Sequence, residues 1–478
     1  MGSGPGGLQV SYALRRLGLR HAVISADPSA GGMFRRFPFF QRMLSWTKPY
    51  APIDRRSREY ERYDWNSLIA DEEEHRALMP SLMDGSSYFP SRPEMERNLA
   101  LFAERADVPV RYGCRWESTR REGDGFVLAT SDGEYRCAVA VFAVGVAEPS
   151  RPDTPGIENA PHYAETRAAE TYAGRRVFII GKENSAFELA SGLLPWARRI
   201  VLASPSPAKL SVITNSLVGV RARYVQPYED HLLGGGVVVL DAAIQEIARA
   251  GGGLQVRVRA SNASEERTFD ADDVIAATGW VAPLRDLPAL GVATFGRSRL
   301  PAQTPFWESA SVPGIYFAGT ITQASAGLKK NGIPSNSGGV NGHRYNGRVL
   351  ARHIAERHFG AALERPLLRP DELASFLVGE LTHSPELWHQ RSYLARAVTA
   401  GAHGLRDEGI VPLAHFVDAA GPDGVAVAIE ANASGENYPA VYLRRDGRIS
   451  ERLLPPDPLL DFSGARQREE LEAALGEL

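Results

Sequence analysis

The first seven residues carry the sequence feature that most constrains the fold of this chain. Gly2, Gly4 and Gly7 form a G-x-G-x-x-G turn, and residues 8–17 continue with the apolar spacing of a helix. Glycines at these positions permit a tight turn and bring the backbone close to phosphate, while the start of a helix offers free N–H groups and a positive dipole end. Residues 21–25 then read as a strand. The pattern predicts a βαβ unit that binds a dinucleotide.

This turn stands at an unusual place in the chain. A dinucleotide fingerprint normally follows a strand, and here only Met1 precedes it. Either the start site is misassigned and a first strand is missing, or the central strand of the unit comes from another part of the chain. The first explanation is our expectation.

A second glycine turn lies in the middle of the chain. Residues 175–180 read as a buried strand, Gly181 begins the turn, and Asn184, Ser185 and Ala186 lead into a helix. Helix and strand signals accompany each of the two turns. Together they indicate an enzyme with two dinucleotide-binding units.

A third segment has the same character. Residues 312–320 read as a strand that ends in Gly319 and Thr320, and residues 337–345 begin a long helix that includes Asn341 and extends to about His358. The start of such a helix directs N–H groups at flavin or phosphate oxygens. We therefore expect this segment to lie beside one of the bound dinucleotides.

Beyond Pro366 the character of the sequence changes. Residues 370–405 look helical, residues 410–455 look like a small sheet, and residues 464–475 read as a closing helix. The predicted fold class is α/β, with two Rossmann-like dinucleotide-binding domains and a small C-terminal α+β domain. The predicted boundaries are 1–147, 148–280, 281–365 and 366–478.

Composition excludes several classes of function. A net charge of −3 gives no basic excess for nucleic acid, and no run of apolar residues is long enough to span a membrane. The two cysteines, Cys114 and Cys137, form neither a disulfide framework nor a C-x-x-C dithiol, and the eleven histidines show no metal-ligand spacing. No signal peptide is evident, so we expect a cytoplasmic protein.

Taken together, these residues resemble the class B flavin-dependent monooxygenases. Within that superfamily they are most similar to the FAD-dependent oxidoreductases related to the ER-associated-degradation flavoprotein. The resemblance covers residues 1 to about 360. The stretches that carry it are residues 2–9, 37–48, 64–68, 88–90, 184–188, 317–320 and 342–345.

The resemblance implies an FAD-binding domain split around an inserted NAD(P)H-binding domain. It also implies a reaction in which NADPH or NADH reduces FAD and a C4a-hydroperoxyflavin, formed with O2, oxygenates a small molecule, for example by N-hydroxylation of an amine or amino acid. The positions implied for FAD are Gly2, Gly4, Gly7, Asp27, Trp46, Gly319, Thr320 and Asn341. Those implied for the nicotinamide dinucleotide are Gly181, Asn184, Ser185 and Ala186, and those implied as catalytic are Thr47 and Lys48.

The sequence departs from the family pattern at three positions. Ser25 stands where an acid usually holds the adenosine ribose, with Asp27 two residues later. Glu183 replaces the middle glycine of the second turn, which sets a carboxylate beside a pyrophosphate and leaves nicotinamide binding open. Thr47 stands where many flavin monooxygenases carry an Asn near flavin C4a.

These departures leave two alternatives to a monooxygenase. One is a flavin oxidase or dehydrogenase that takes electrons from its substrate without NAD(P)H, and the other is a degenerate flavoprotein that acts as a binding partner. The expected ligands are a small-molecule substrate and O2. The C-terminal domain is compatible with a homodimerisation element, a substrate lid or a carrier-protein dock, and the sequence does not choose among them.

Overall fold

The structure is a computed structural model, and it describes residues 1–38, 41–211, 220–225, 236–262, 264–325, 335–432 and 436–476. Residues 1–149 form the first region, and together with the elements that return to them after residue 281 they make up the first unit. Its elements are α1 (Pro5–Arg16), β1 (Val23–Ile24), α2 (Met79–Leu82), α3 (Arg92–Arg105), β2 (Val110–Arg111), β3 (Trp116–Glu122), β4 (Gly125–Thr130), β5 (Gly133–Cys137), β6 (Ala140–Phe142) and β7 (Glu148–Pro149). Strand β1 pairs parallel with β2, and β3, β4 and β5 form an antiparallel sheet. Helix α1 carries Pro at its first position, where the missing N–H removes no helical hydrogen bond.

Met1 and Gly2 occupy the position between β1 and β6. The amide of Gly2 donates to the carbonyl of Ile24 at 2.8 Å, and the amide of Ala143 donates to the carbonyl of Met1 at 2.7 Å. The first two residues therefore link the end of β1 to the end of β6 through backbone hydrogen bonds. The expectation that a first strand is missing stays a prediction.

Residues 150–281 form the second unit. Its elements are β8 (Arg176–Ile180), α4 (Asn184–Leu193), β9 (Arg199–Ser204), α5 (Ala222–Val225), β10 (Val237–Ala250), β11 (Gly253–Ala260), β12 (Glu266–Ala271), β13 (Asp273–Ala276) and β14 (Trp280–Val281). The sheet order is β12-β11-β10-β9-β8-β13. Strands β13, β8, β9 and the first half of β10 are parallel, and β11 and β12 extend the sheet antiparallel. Buried apolar residues cover both faces of this sheet.

The chain then returns to the first unit. Strand β14 pairs antiparallel with β7, so the two segments that cross between the units lie side by side. The returning elements are β15 (Thr294–Phe295), β16 (Leu300–Pro301), β17 (Ile315–Phe317) and α6 (Val340–Phe359). Strand β17 pairs parallel with β6, and α6 packs along α1 in a shared buried core. The long helix expected after residue 337 is confirmed, although it begins at Val340.

The C-terminal region is a six-stranded sheet with helices. Its elements are β18 (Leu367–Leu368), α7 (Leu373–His383), α8 (Pro385–His389), β19 (Leu394–Gly401), β20 (Gly404–Pro412), α9 (Leu413–Asp418), β21 (Gly424–Ala431), β22 (Asn437–Arg445), β23 (Arg448–Leu453) and α10 (Ala465–Leu475). The sheet order is β18-β20-β19-β21-β22-β23, and the pairs are antiparallel. The helical prediction for residues 370–405 is wrong over β19, because its alanine-rich sequence is paired on both sides and tertiary pairing overrides local propensity.

Two kinds of feature are absent from the described residues. None of the helices there has both the length and the apolar character that a membrane crossing requires. Nor does the described part of the chain bring together three or more His, Cys, Asp or Glu side chains in an arrangement that suits a metal ion.

Candidate functional site

A cavity of about 1330 Å³ opens between the first and second units. Its walls come from the glycine turn before α1, the end of β1, the start of α4, and residues within 319–323 and 335–343. Pockets for drug-sized ligands usually measure about 300–1,000 Å³. This cavity is therefore large enough for an extended ligand such as a dinucleotide.

The three glycines of the first turn have two different roles. A Cβ on Gly2, whose φ is +102°, would lie 2.3 Å from the carbonyl oxygen of Ala143, and a Cβ on Gly7 would lie 2.0 Å from the carbonyl oxygen of Gly2. A Cβ on Gly4 would meet no heavy atom within 4 Å, and Gly4 lines the cavity. Gly2 and Gly7 thus serve the packing of the turn, while Gly4 leaves backbone open to a ligand.

Helix α1 starts at the cavity wall and packs against the strand end at Gly319. A Cβ on Gly6 would lie 2.4 Å from both the nitrogen and the Cα of Gly319, so the two backbones touch. The first intrahelical bond runs from the amide of Leu8 to the carbonyl of Gly4. The amides of the first turn and the positive end of the helix dipole therefore lie at the cavity wall, an arrangement that suits an anion.

The end of β1 places Ser25 and Asp27 as neighbours in the cavity wall. The buried hydroxyl of Ser25 lies 2.8 Å from that of Ser3 in the glycine turn, and it accepts the amide of Asp27 at 3.3 Å. Asp27 is half-buried and lines the cavity. Its carboxylate is placed to accept hydrogen bonds from a ribose, while Ser25 fixes the loop that carries it.

The returning segment supplies the opposite wall. Gly319, Thr320 and Asn341 all line the cavity, and Gly319 adopts a positive φ of +78°. His343 lines the same wall with a nearly inaccessible imidazole. Burial lowers the pKa of His343 to about 4, so the ring is neutral near pH 7. The backbone at Ser337 and Gly338 lies close to the ring and partly offsets the effect of burial on the pKa of His343.

The start of α4 brings the second glycine turn to the same cavity. Asn184 and Ser185 line it, whereas Ala186 is buried in the core of the second unit. Gly181 has a φ of +133°, and a Cβ there would lie 2.5 Å from the carbonyl oxygen of Ala277. Glu183 is the N-cap residue of α4, and its exposed side chain makes no capping hydrogen bond.

Glu188 is a cavity residue that the sequence analysis did not single out. It lies one turn after Asn184 on α4, and it accepts hydrogen bonds from Tyr163 at 2.6 Å and Tyr224 at 2.9 Å. Burial raises the pKa of Glu188 to about 7, although both hydroxyls and the nearby guanidinium of Arg223 act in the opposite direction. The i, i+4 spacing from Asn184 was the available signal for its position on the cavity face.

The segment that carries Trp46, Thr47 and Lys48 passes beside the cavity. Ser45 and Trp65 line the cavity, but Trp46, Thr47 and Lys48 are not among the described lining residues. The buried hydroxyl of Thr47 donates to Asp64 at 2.8 Å and accepts from Asn66 at 3.0 Å.

Lys48 also lies away from the cavity. Its ammonium lies 5.3 Å from the ring centre of Trp46 and 5.5 Å from that of Tyr63. Trp46 in turn packs on Trp65, with ring centres 4.9 Å apart. The catalytic roles of Thr47 and Lys48 stay predictions, and this geometry supports a structural role for both.

Comparison with known proteins adds the family. The family described as pyridine nucleotide-disulphide oxidoreductase matches residues 1–319. FAD-dependent oxidoreductase domain-containing protein 2 of Mus musculus is 26% identical over 435 residues, which are 83% of this chain and 63% of the mouse protein. A ferredoxin–NADP reductase of Thermus thermophilus is 29% identical over 224 residues, which are 44% of this chain and 61% of that protein. The chain thus spans less than two thirds of the length of these relatives.

Solved structures share the fold. A bacillithiol disulfide reductase of Bacillus cereus has a TM-score of 0.58 and 21% identity, over 75% of this chain and 98% of the other. A flavin-containing monooxygenase of Stenotrophomonas maltophilia has a TM-score of 0.55 and 19% identity, over 74% of this chain and 96% of the other. The predicted α/β architecture and the resemblance to FAD-dependent oxidoreductases are both confirmed.

Proposed function

The chain belongs to the pyridine nucleotide-disulphide oxidoreductase family, and on this premise we propose that it is an NAD(P)H-dependent flavin monooxygenase that acts on a small molecule. Family membership implies FAD and NAD(P)H as cofactors. The chemistry that bound FAD would supply has two parts: it would accept hydride from NAD(P)H, and it would activate dioxygen. One oxygen atom would then be transferred to a soft nucleophile such as an amine or thioether. The protein has to bind, orient and shield the reacting groups.

The observation that carries the proposal is that both glycine turns open into one cavity. Gly4 lies in one wall, and Asn184 and Ser185 lie in another. A hydride passes directly between two rings in contact, so two nucleotide sites of this kind have to share a space. The common cavity therefore favours NAD(P)H as the electron donor over a substrate-driven oxidase.

The residues of the cavity fit FAD. The start of α1 and the open backbone at Gly4 suit a pyrophosphate, and Asp27 suits a ribose. The start of α6, with the neutral imidazole of His343 on the same wall, suits the polar edge of a flavin.

The cysteines favour a small molecule over a dithiol as the electron acceptor. Cys114 is buried, Cys137 is half-buried, and both are free. They do not form the C-x-x-C pair that relays electrons to a disulfide substrate. Dioxygen, which reaches a buried flavin by diffusion, needs no such relay.

The test begins with the visible spectrum of the purified protein. NADPH added without oxygen should bleach the bands of bound FAD. Readmitted, isotopically labelled dioxygen with a panel of amines and thioethers should give a product that carries one labelled oxygen atom. If NADPH bleaches the flavin but the only product with every substrate tested is hydrogen peroxide, monooxygenation is contradicted. If a substrate bleaches the flavin without NADPH, the protein is an oxidase.

A reductase is the second candidate, and one observation favours it. The ferredoxin–NADP reductase of Thermus thermophilus aligns over 44% of this chain. A reductase would pass electrons from NADPH to a protein carrier rather than to a small molecule. NADPH consumption that rises with added ferredoxin, without any oxygenated product, would support this candidate.

Glu183 provides a test of the nicotinamide site. Its exposed carboxylate precedes the cavity-lining residues Asn184 and Ser185 and opposes an approaching pyrophosphate. We expect Glu183→Gln to lower the KM for NADPH on the order of fivefold, because it removes one like charge near the phosphates. The rate at saturation should stay unchanged. Steady-state kinetics at low ionic strength measure both quantities.

Glu117→Gln is the matched control for that substitution. Glu117 is also exposed, but it lies on β3. The Glu117→Gln substitution should leave the KM for NADPH unchanged. An equal fall in the KM for NADPH in both variants would show that the effect comes only from the change in net charge. An unchanged KM in Glu183→Gln would indicate that the pyrophosphate does not lie near the second turn.

A further inference from the structure

The C-terminal domain reaches the wall of the cavity at the end of α8. We call residues 335–343, most of which line the cavity, the returning wall. The backbone carbonyl of His389, the last residue of α8, accepts the side-chain amide of Asn336 at 2.6 Å. Asn336 lies in the returning wall, so a residue of the C-terminal domain is bonded directly to the cavity lining.

The ring of His389 holds a second residue of the returning wall. Its Nδ1 lies 3.1 Å from the side-chain nitrogen of Asn341, which lines the cavity. An amide nitrogen only donates, so Nδ1 must carry no proton. Burial and the nearby guanidinium of Arg344 hold the pKa of His389 well below its usual range, which keeps the ring neutral. The amide of Asn341 is thereby fixed.

His389 also supports a lining residue on a different segment. The ring of Trp65, which lines the cavity, meets the His389 ring edge-on with centres 5.3 Å apart. One residue of the C-terminal domain therefore contacts cavity walls that come from opposite ends of the nucleotide-binding part of the chain.

Gln390 extends the contact by one residue. Its side-chain amide donates to the hydroxyl of Ser337 at 3.2 Å and to the carbonyl oxygen of Asn346 at 2.5 Å. The amide of Asn346 donates in turn to Ser337 at 3.0 Å. All three residues are buried. Neither Gln390 nor His389 is among the described lining residues, so they act on the cavity through its wall.

Ion pairs fix the domain that carries these residues. Arg58 of the first region lies 2.9 Å from Glu380 and 2.8 Å from Glu386, and both carboxylates are largely buried. The buried guanidinium of Arg344 donates to the carbonyls of Asp64 and Ser67 beside this junction. The Arg58 side chain is 41% exposed, so its ion pairs are only partly shielded from water, whereas the contacts of Arg344 are buried. Together these charge-assisted contacts restrict movement of α8 against the returning wall.

We propose that His389 and Gln390 are positioning residues through which the C-terminal domain shapes the flavin pocket, by holding Asn336, Ser337 and Asn341 of the returning wall in place. The domain is in this sense part of the flavin site and not a separate lid or dock. The inference rests on flavin binding in the cavity and is independent of the reaction proposed above.

The test compares His389→Ala with the unchanged protein in the full chain. We expect the dissociation constant for FAD to rise on the order of tenfold, because a wall residue loses its hydrogen-bond partner. The long-wavelength absorption band and the midpoint potential of the flavin that still binds should shift. His389→Gln, which keeps an acceptor for Asn341, should restore a large part of both properties.

Leu377→Ala is the control for a merely structural effect. Leu377 is fully buried in the core of the C-terminal domain, away from the returning wall. It should lower the thermal midpoint but leave the FAD dissociation constant and the flavin spectrum unchanged below that midpoint. Equal spectral changes in Leu377→Ala and His389→Ala, or none in His389→Ala, would overturn the proposal.

Gln390→Ala replaces His389→Ala if the latter does not fold. It should weaken FAD binding and shift the spectrum in the same direction, since it removes one of the hydrogen bonds that hold Ser337. An unchanged flavin in Gln390→Ala would then overturn the proposal. Absence of flavin in the unchanged protein would instead contradict the cofactor assignment itself, so the two failures are distinguishable.

Discussion

Gly4→Val should yield a folded protein that no longer binds FAD. Gly4 has an extended backbone that any residue adopts, and a Cβ there meets nothing within 4 Å. Valine is therefore accommodated by the protein, but its side chain occupies the space that a pyrophosphate would take beside α1. Loss of the backbone hydrogen bonds to a charged phosphate should raise the dissociation constant for FAD on the order of a hundredfold. Flavin fluorescence titration of the apoprotein measures this constant.

Two variants separate this effect from a general loss of stability. Gly379 in α7 also faces open space, so Gly379→Val should leave both folding and FAD binding intact. Gly7→Ala would place a Cβ 2.0 Å from the carbonyl oxygen of Gly2 and should lower the thermal midpoint even without FAD. Normal FAD binding by Gly4→Val would show that the pyrophosphate does not lie at the start of α1.

The glycine turns were predictable because the constraint on them is local. Gly2, Gly7 and Gly181 each face a backbone carbonyl at a distance that excludes a side chain, and the requirement appears directly as a residue type at fixed spacing. The same holds for the start of α6, where strand and helix signals follow one another in the sequence. Features of this kind are encoded within a few residues and need no knowledge of distant contacts.

The cavity wall contributed by distant segments was not predictable in this way. The contact of His389 with Asn341 and Trp65 joins parts of the chain that share no local pattern. Thr47 lies in a motif that resembles a flavin-contacting segment, yet its hydroxyl is taken by Asp64 and Asn66. A motif gives the order of residues along the chain, whereas the direction of a side chain depends on the partners that tertiary packing provides.

Glu188→Gln should change the pH dependence of flavin reduction by NADPH. A nicotinamide ring gains positive charge as it gives up hydride, and an ionised carboxylate in the cavity wall stabilises that charge. Because the pKa of Glu188 is raised to about 7, we expect the reduction rate to rise with pH through that value. The variant should have a flat profile, equal to the unchanged protein near pH 5.5 and on the order of tenfold slower near pH 8.5. Anaerobic stopped-flow measurements give both profiles.

Glu61→Gln is the matched control, since burial also raises the pKa of Glu61 to about 7 while its side chain lies outside the described lining of the large cavity. Between about pH 4.5 and pH 7 the carboxyl groups of Glu61 and Glu188 stay protonated in the folded state. In the unfolded chain the same groups have a pKa near 4.5 and are ionised over this range. Stability should therefore fall as pH rises from about 4.5 to 7, and either substitution should reduce that fall. Both variants should thus gain relative stability at pH 8, but only Glu188→Gln should flatten the reduction profile. A flattened profile in Glu61→Gln would contradict the assignment of the charge to the cavity wall, because the effect would then follow buried carboxylates in general rather than the carboxylate that lines the cavity.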